Sequence, residues 1–395
     1  MVYINRLIES SLHAILQRGK SILLLGPRQT GKTTLFSRFN TDLTLSFIQP
    51  KVRQHYERDS SLLSGEIEFL AEQKKKKPLV LLDEIQKVPE AMDIVQDLID
   101  RQIAQFILTG SSARKLRSNS KVNLLPGRVV SLRLDPLILS ESASLSSSII
   151  DLLLYGSLPG ILSLSNPLEK EQDLTSYVTT YLEEEIRAEA VVRKLGAFSR
   201  FLLLAAAESG NLINFRKLAQ EIGISHTTIG DYYQILEDCL IVERIEPFLP
   251  TSTRRRLTKS PKYLFFDLGV RRLSADEGIH PPTTYLGKLF EQWVGLELIR
   301  CARLTNERTK VYFWRDMNGP EVDWIVKKED HLIPIEVKWT THPTRDHSKH
   351  LELFKSEYPN VSKAYIVCQI PRQMKLSEGI YAIPWQEVDS IILEK

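Results

Sequence analysis

Gly26-Pro27-Arg28-Gln29-Thr30-Gly31-Lys32-Thr33 fits the phosphate-binding pattern G-x-x-x-x-G-K-[ST] at every fixed position. The apolar run Ser21 to Leu25 before it predicts a buried strand, and the residues from Thr34 onward predict the start of a helix. Glycines let backbone N–H groups turn towards phosphate oxygens, and the first turn of a helix adds unpaired donors. This stretch therefore predicts a strand, loop and helix that together bind a nucleotide.

The residues of this loop have distinct predicted roles. The backbone from Gly26 to Thr34 is expected to surround the phosphates of ATP. Lys32 is expected to reach the β- and γ-phosphates, and the Thr33 hydroxyl to ligate Mg²⁺. A glycine turn that matches by chance is the alternative, and the flanking strand and helix argue against it.

A second apolar run, from Pro78 to Leu82, ends in the adjacent acids Asp83 and Glu84. This is the Walker B arrangement, in which Asp83 holds Mg²⁺ directly or through water and Glu84 polarises the water that attacks the γ-phosphate. Solvated acids at the end of a strand are the alternative. A phosphate loop in the same chain favours the catalytic interpretation.

Small polar residues follow a third apolar strand, which begins at Phe106. Thr109 and Ser111 lie at its carboxyl end, where ligands bind in open parallel sheets. Either residue is a candidate sensor of the γ-phosphate, and capping of the next helix is an equal alternative.

Arg128 precedes a further predicted strand, Val129 to Leu134. A guanidinium near a transferring phosphate accelerates the reaction roughly 10³- to 10⁵-fold. Arg128 is the first catalytic candidate of this kind, ahead of Arg114 and Arg117. A surface or structural arginine is the alternative for each.

Length and composition limit the class of protein. A chain of 395 residues predicts about two to three domains, and 43% hydrophobic with 26% charged residues is typical of a globular protein. The net charge of 52 − 49 = +3 identifies no partner by itself. Widely spaced Cys239, Cys301 and Cys368 form no metal or disulfide pattern. Because no signal peptide or membrane-spanning run is visible, we expect a cytoplasmic protein without a membrane partner.

The alternation of strands and helices stops at a serine-rich stretch, residues 140–148, which predicts a loop or soft boundary. A mainly helical region follows, with a charged helix expected from Tyr177 to Arg193. Helices expected at about Phe198–Glu208, Phe215–Ile222 and Ser225–Leu236, then a strand from Ile241, predict a winged helix.

A basic segment follows the winged helix. From Thr251 to Arg272, seven basic residues against the single acid Asp267 give 7 − 1 = +6. They are Arg254, Arg255, Arg256, Lys259, Lys262, Arg271 and Arg272. This charge predicts non-specific contact with the DNA backbone or, alternatively, with another anionic partner surface.

The last third of the chain contains a second charged constellation. The segments Glu321 to Val326 and Leu332 to Trp339 alternate as strands, so Glu336 and Lys338 share a face that Asp323 can approach. Glu291, from a helical segment upstream, is a further acid. Carboxylates that grip Mg²⁺ or Mn²⁺ beside a lysine are typical of metal-dependent phosphodiesterases. A hairpin with a cross-strand ion pair is the alternative.

With these motifs together, the chain resembles a prokaryotic family of AAA-type ATPases that have a C-terminal domain of unknown function. The resemblance covers nearly the whole chain. It is carried by residues 23–35, 79–90, 106–116, 124–137, 155–161, 214–248, 263–273, 321–326 and 333–339. It departs at Leu45-Ser46-Phe47-Ile48, where similar chains have an acidic residue, so a role for that strand end is in doubt.

The resemblance implies an α/β fold class: an AAA-type P-loop NTPase with a parallel sheet, a winged-helix region and a restriction-endonuclease-like α/β domain. It also implies an extra central strand that places Glu84 as the catalytic acid. We accordingly predict an ATPase domain at 1–145, a helical connector or lid at 146–195, a winged helix at 196–260 and the endonuclease-like domain at 261–395.

Three functions follow as hypotheses. The first is an ATPase whose nucleotide state controls a C-terminal module that binds nucleic acid or a protein partner. The second is an ATP-regulated, metal-dependent nuclease that uses Asp323, Glu336 and Lys338. The third is an ATP-dependent signalling or scaffold protein with an inactive nuclease fold. A second copy of the chain is a possible partner in each.

Overall fold

The computed structural model describes residues 3–112, 125–145, 148–182, 195–249, 257–305, 308–317, 319–361 and 363–393. These residues form two compact units. The first contains the described residues up to Pro136 together with Gln234–Ile241, and the second contains the others. The first unit thus ends ahead of the boundary expected at residue 145.

The first unit is built on a five-stranded parallel sheet with the order β2-β3-β4-β1-β5. The strands are β1 Ser21–Leu25, β2 Leu43–Ser46, β3 Leu79–Asp83, β4 Gln105–Gly110 and β5 Val129–Arg133. Strand β4 lies between β1 and β3, which is the extra central strand that the resemblance implies. The predicted parallel-sheet class is therefore confirmed.

Amphipathic helices cover this sheet. They are α1 Ile8–Gln17, α2 Lys32–Phe36, α3 Pro50–Arg58, α4 Leu62–Lys74 and α5 Ala91–Asp100, with a 3₁₀ turn at Ile85–Lys87. In α5, the buried residues recur at helical spacing at Ala91, Met92, Val95 and Leu98. They pack in one core with strand residues such as Leu82. Full burial of each large apolar side chain stabilises the folded state by about 1.5–3 kcal/mol. This core holds the strands in place, and with them the polar groups at the strand ends.

The second unit begins with short helices. They are α6 Leu139–Ser142, α7 Ile149–Tyr155, α8 Pro159–Leu162 and α9 Pro167–Ser176, with a 3₁₀ turn at Ala143–Leu145 and a π-helical turn at Tyr177–Leu182. The loop expected at 140–148 is therefore partly wrong, because α6 and the 3₁₀ turn occupy its start. Ser148 instead caps α7, since its hydroxyl accepts a hydrogen bond from the Asp151 N–H. The predicted charged helix beyond Leu182 lies outside the described residues.

Buried Asp267 connects two of the segments on which the resemblance rests, residues 155–161 and 263–273. Asp267 accepts hydrogen bonds from the backbone N–H groups of Ser157, Gly269 and Val270. Gly156 has φ +72°, and a Cβ atom there would lie 2.0 Å from an Asp267 oxygen. Arg300 completes the cluster by donating to the Ser157 hydroxyl and the Phe266 carbonyl. These motifs hold the fold of the second unit together.

Three helices and a two-stranded antiparallel sheet follow, as expected for the region from residue 196. They are α10 Leu195–Ala207, α11 Phe215–Ile222, α12 His226–Asp238, β6 Val242–Ile245 and β7 Lys262–Phe265. Because β6 pairs with β7, a boundary at residue 260 would separate two paired strands. Helix α13, Leu268–Ser274, comes next.

The C-terminal part holds a six-stranded mixed sheet with the order β12-β13-β11-β10-β9-β8. Its elements in chain order are α14 Thr283–Leu304, β8 Thr309–Arg315, β9 Glu321–Lys328, β10 His331–Val337, α15 Lys349–Glu357, β11 Ala364–Cys368, β12 Met374–Ser377 and β13 Ile380–Pro384. Two 3₁₀ helices lie at Arg345–Ser348 and Trp385–Ile391. The predicted C-terminal α/β sheet domain is present. Across all the described segments, no helix combines the length and the apolar character that crossing a bilayer requires.

Candidate functional site

The phosphate loop runs from the end of β1 to α2, as the sequence predicts. The Gly26 N–H donates to the Gly110 carbonyl of the neighbouring strand at 3.1 Å. A Cβ atom on Gly26 would lie 2.3 Å from the Leu134 carbonyl oxygen, so a side chain has no space there. Gly31 has φ +94°, a left-handed conformation that glycine adopts readily. The two fixed glycines of the motif therefore satisfy steric requirements of the loop.

Lys32 is buried at the start of α2. Its ammonium group donates to the carbonyl oxygens of Gly26 at 2.7 Å and Pro27 at 3.0 Å. The Thr30 hydroxyl also donates to the Pro27 carbonyl, at 2.9 Å, and braces the loop from inside. The side chains of Gln29, Thr33 and Thr34 are exposed. Lys32 thus points into the concave side of the loop, and the Thr33 hydroxyl is accessible to a ligand.

Arg6 is a part of this site that sequence reasoning missed. Its guanidinium is buried and donates to the Thr30 carbonyl at 2.8 Å and to the Asp135 carbonyl at 2.7 Å. The planar guanidinium group of Arg6 therefore connects the phosphate loop to the segment that follows β5. An arginine 20 residues upstream of the motif gives no local sequence signal of such a contact.

Asp83 and Glu84 follow each other at the carboxyl end of β3. The Asp83 carboxylate accepts hydrogen bonds from the Thr109 hydroxyl at 2.6 Å and the Ser46 hydroxyl at 3.0 Å. The Glu84 carboxylate accepts one from the Ser111 hydroxyl at 2.9 Å. The donors are neutral, so the acids keep their charge available to a cation. Thr109 and Ser111 thus orient the acidic pair. Ser46, at the end of β2, also orients Asp83.

Gln86 is the second residue that sequence reasoning missed. Its amide donates to Glu84 Oε2 at 2.5 Å and to Ser111 Oγ at 3.1 Å. Glu84 itself has φ +58°, a left-handed conformation uncommon for a residue other than glycine. Such strain persists where the surroundings determine it, often at functional sites. Gly110 makes space for this arrangement, because a Cβ atom there would lie 2.8 Å from Gln86 Oε1.

These residues fit a magnesium nucleotide. Gly26 and Gly31 leave a cradle of backbone around the Lys32 ammonium group, and the hard oxygen ligands of Asp83 and Thr33 are the kind that Mg²⁺ prefers. Bound Mg²⁺ would neutralise the charge that develops on the phosphate oxygens.

Arg128 does not lie at this site, contrary to the sequence-based expectation. Strand β5 runs parallel to β1, with Val129 opposite Ser21. Arg128 therefore lies at the end of the sheet where these strands begin, and the phosphate loop lies at the other end. Its guanidinium pairs with the Asp100 carboxylate at 2.6 Å and 2.8 Å. Arg128 precedes β5, whereas the phosphate loop follows β1, so the length of these parallel strands separates the two. Arg128 therefore cannot reach the phosphates of its own site. The other two candidates, Arg114 and Arg117, lie outside the described residues.

The basic segment 251–272 is also corrected in part. Lys262, Arg271 and Arg272 are buried and paired with acids, so they do not form a basic surface. Arg271 binds Glu277 with both Nη atoms at 2.6 Å, and Arg272 pairs with Glu171. Lys259 is exposed. Arg254, Arg255 and Arg256 lie outside the described residues.

The C-terminal constellation is brought together by the sheet. Strands β9 and β10 pair Trp324 with Ile335, which places Asp323 opposite Glu336. The Val337 N–H donates to Asp323 Oδ2 at 2.8 Å. The Lys338 ammonium group lies 2.6 Å from Glu336 Oε2 and 4.0 Å from Asp323 Oδ2. The predicted neighbourhood of Asp323, Glu336 and Lys338 is therefore present.

Burial changes the acidity of this cluster. Burial, and then the Asp323 carboxylate, raise the pKa of Glu336 to about 9. The same two causes raise the pKa of Glu291 to about 7. Burial acts to lower the pKa of Lys338, but Asp323 and Glu336 reverse this effect and raise it. Within the described part of the chain, no group of three or more His, Cys, Asp or Glu side chains is arranged to hold a metal ion.

Three family models match the chain. Residues 18–143 match the model of an AAA domain, and residues 146–277 and 286–388 match two domains of unknown function, DUF8612 and DUF4143. These matches confirm the resemblance in the sequence: an AAA domain is matched in the N-terminal part, and domains of unknown function are matched in the C-terminal part. The match to the AAA domain includes the phosphate loop and the acidic pair Asp83 and Glu84.

Two relatives align with most of this chain. Uncharacterized proteins of Mycobacterium tuberculosis and Mycobacterium bovis are each 26% identical over 384 residues, which are 95% of this chain and 82% of theirs. Among solved structures, Cdc6p from Pyrobaculum aerophilum is 14% identical with a TM-score of 0.27, over 69% of this chain and 94% of that one. PCH-2 of C. elegans is 17% identical with a TM-score of 0.26, over 60% and 70%. Likeness this low says nothing about function.

Proposed function

We propose that the N-terminal unit binds ATP with Mg²⁺ and hydrolyses it. Glu84 is the base that polarises the attacking water, Lys32 binds the β- and γ-phosphates, and Asp83 and Thr33 hold Mg²⁺. The observation that carries the proposal is the oriented pair Asp83 and Glu84, whose strand is separated from the phosphate-loop strand only by β4. General-base catalysis of this kind contributes typically 10²- to 10⁴-fold.

Two substitutions test this proposal. Lys32→Ala is expected to abolish nucleotide binding, whereas Glu84→Gln is expected to retain binding and lose most turnover. Binding is measured with a fluorescent ATP analogue and turnover by phosphate release. The exposed residues Lys51 and Glu90 provide the matched controls Lys51→Ala and Glu90→Gln. Normal turnover in Glu84→Gln would contradict the assignment.

We propose further that the nucleotide state of this site controls the C-terminal part of the chain. Support comes from the two parts sharing one chain, here and in relatives aligned over 95% of it. Hydrogen exchange of residues 257–393 in Glu84→Gln, with and without ATP, tests the coupling. Unchanged exchange throughout those residues would argue for an ATPase that acts alone.

Metal-dependent cleavage of nucleic acid is a second candidate function. It is favoured by the convergence of Asp323, Glu336 and Lys338, whose ammonium group lies 2.6 Å from Glu336 Oε2 and 4.0 Å from Asp323 Oδ2. Supercoiled and branched DNA incubated with Mg²⁺ or Mn²⁺ should be cut by the wild type and not by Asp323→Ala. Equal results for the two proteins would remove the nuclease and leave an ATP-dependent scaffold.

Contact with the DNA backbone is proposed only through Lys259 and the arginines Arg254, Arg255 and Arg256. Binding to duplex DNA should weaken steeply with salt, and the slope should flatten in the Arg254/Arg255/Arg256→Ala variant. An unchanged slope would exclude this segment as the contact.

A further inference from the structure

A polar pocket of about 250 Å³ lies within the second unit. Its walls come from the loop after α10, the start of β7, the first half of α14 and the adjoining ends of β8 and β9. Leu212 supplies an aliphatic side chain, and the other lining side chains carry polar groups. Asp323, Glu336 and Lys338 are not among the described residues that line it. The polar pocket therefore suits a small, charged ligand and is separate from the three residues of the nuclease hypothesis.

Hydrogen bonds hold the walls of the polar pocket together. The Ser209 hydroxyl donates to Gln292 Oε1 at 2.8 Å, which joins the loop after α10 to α14. The Gly210 N–H donates to the Tyr263 carbonyl at 2.8 Å, which joins the same loop to β7. Because the walls are connected without a ligand, binding requires little ordering of the protein.

The charges of the polar pocket are unbalanced. Its lining residues include the cations Lys262, Lys288 and Arg315 and the acids Glu291 and Glu321, which gives 3 − 2 = +1. Both acids already have a partner, since Lys262 lies 3.0 Å from Glu291 and Arg315 lies 2.9 Å from Glu321. Lys288 is exposed and forms no ion pair with a residue that the structure describes. The excess of positive charge favours an anion.

Lys262 is the buried cation of the polar pocket. Its side chain is 9% exposed, and its ammonium nitrogen lies 5.1 Å from the centre of the Phe313 ring and 5.7 Å from that of Trp324. An ammonium group has three N–H donors, and among the described residues only Glu291 accepts a hydrogen bond from this one. Donors therefore remain for an oxygen atom of a ligand, so Lys262 can bridge Glu291 and an anion in the pocket.

We propose that the polar pocket binds a phosphate monoester through Lys262, Lys288 and Arg315. These three cations belong to different elements, β7, α14 and β8, and line one space. A phosphate monoester has three strong acceptor oxygens and close to two negative charges, whereas a carboxylate has two acceptor oxygens and one charge. The ester is carried by a small phosphorylated molecule or by the end of a nucleic-acid strand. The proposal requires neither ATP hydrolysis nor cleavage of nucleic acid.

Binding of ribose phosphate to the full-length protein tests the proposal, by line broadening of its phosphorus NMR signal at constant ionic strength. The Lys32→Ala background removes binding at the phosphate loop. We expect Lys262→Met to weaken binding about tenfold or more, since a hydrogen bond between charged groups is lost. Lys288→Met should weaken it about threefold, because the charge it removes is exposed. Lys310→Met changes an exposed lysine of β8 outside the pocket and should bind like the Lys32→Ala background.

An oligonucleotide with a terminal phosphate, compared with the same strand ending in a hydroxyl, identifies the source of the phosphate. A preference for the phosphorylated strand that Lys262→Met and Lys288→Met reduce would assign the pocket to strand ends. Loss of ribose phosphate binding without such a preference would assign it to a small molecule.

If Lys262→Met left the affinity for both probes unchanged, the proposal would be overturned. It would also be overturned if the Lys32→Ala background bound neither probe. A cooperative thermal melt establishes that each variant is folded. If Lys262→Met does not fold, Lys288→Met decides alone, because its side chain is exposed, and unchanged affinity for both probes is then equally decisive.

Discussion

The two acidic sites of this protein are held by different kinds of partner. In the N-terminal unit, hydroxyl and amide groups of Ser46, Thr109, Ser111 and Gln86 donate to Asp83 and Glu84. In the C-terminal site, two of the acids have ammonium partners, Lys338 for Glu336 and Lys262 for Glu291, and Asp323 accepts a hydrogen bond from the Val337 N–H.

Neutral donors orient a carboxylate and leave its charge for a cation, whereas an ammonium group cancels that charge. The lysine of the N-terminal site illustrates the difference, since Lys32 donates to the backbone carbonyls of Gly26 and Pro27. The first site is thus prepared for a metal nucleotide, and the second already contains its cations.

The largest expected effect separates the metal requirement of the two sites. Asp83→Asn should raise the Mg²⁺ concentration for half-maximal ATP turnover by roughly 10- to 100-fold, the loss typical of a residue that supports a metal. Asp323→Asn, the matched change in the other site, should leave this concentration unchanged. Phosphate release in a Mg²⁺ titration measures both. Equal shifts in the two variants would contradict the expectation that only the N-terminal acids affect the Mg²⁺ requirement of ATP turnover.

Removal of a neutral donor should have the next largest effect. Gln86→Leu deletes the amide that holds Glu84, and a hydrogen bond to a charged group contributes about 1.5–3 kcal/mol. We expect kcat for ATP to fall about tenfold with KM nearly unchanged, because the misplaced base acts after binding. Gln49→Leu changes an exposed glutamine of the same unit and is the control. A rise in kcat would show instead that Gln86 restrains Glu84 unproductively.

The C-terminal acids should affect stability through pH. Glu336 has a folded-state pKa of about 9 against an ordinary value of 4.5, so the folded chain keeps a proton that the unfolded chain releases. Its contribution therefore disfavours folding increasingly as pH rises from about 4.5 to about 9. Asp323, Lys338 and His350 lie around this group.

The Glu336→Gln variant replaces the titrating carboxyl group with an amide that does not titrate. Its stability relative to the wild type should therefore increase as the pH rises from about 5 to about 9, by at most about 1.4 kcal/mol for a tenfold fall in proton concentration. Urea unfolding of both proteins at several pH values measures the difference. A difference that is constant with pH would show that the carboxylate is ionised throughout.

Much of this structure follows from local patterns in the sequence. The strands ending at Leu25, Asp83 and Gly110 were predicted from apolar runs, and parallel pairing then places their polar ends together. The same logic brought Asp323 and Glu336 together, because alternation along two adjacent strands fixes which side chains share a face. Local periodicity is therefore sufficient wherever a site lies at the ends or on one face of paired strands.

The errors share a different cause. The sequence favours Arg128 over Arg114 and Arg117 as the catalytic arginine, but β5 runs parallel to β1, which places Arg128 at the end of the sheet remote from the phosphate loop. Lys262 adds to the basic charge predicted for residues 251–272, but it is buried beside Glu291, which is 29 positions away. Arg6 and Gln86 were missed, because a side chain that binds a backbone carbonyl or a neighbouring carboxylate leaves no period or motif. Burial and long-range pairing decide such roles, and neither is visible in a single sequence.

The smallest expected effect concerns Arg6, which supports the phosphate loop of the first site through two backbone carbonyls. Arg6→Ala should weaken ATP binding about fivefold, since about 1 kcal/mol of support for the loop conformation is lost. Arg6→Lys should recover part of this affinity, because a single ammonium group replaces only part of the guanidinium fork. Arg18→Ala, at an exposed arginine of the same segment, controls for loss of charge. Titration with a fluorescent ATP analogue measures all three. If Arg6→Ala bound ATP like Arg18→Ala, the loop would hold its conformation without this brace, and Gly26, Gly31 and Thr30 would suffice for the cradle.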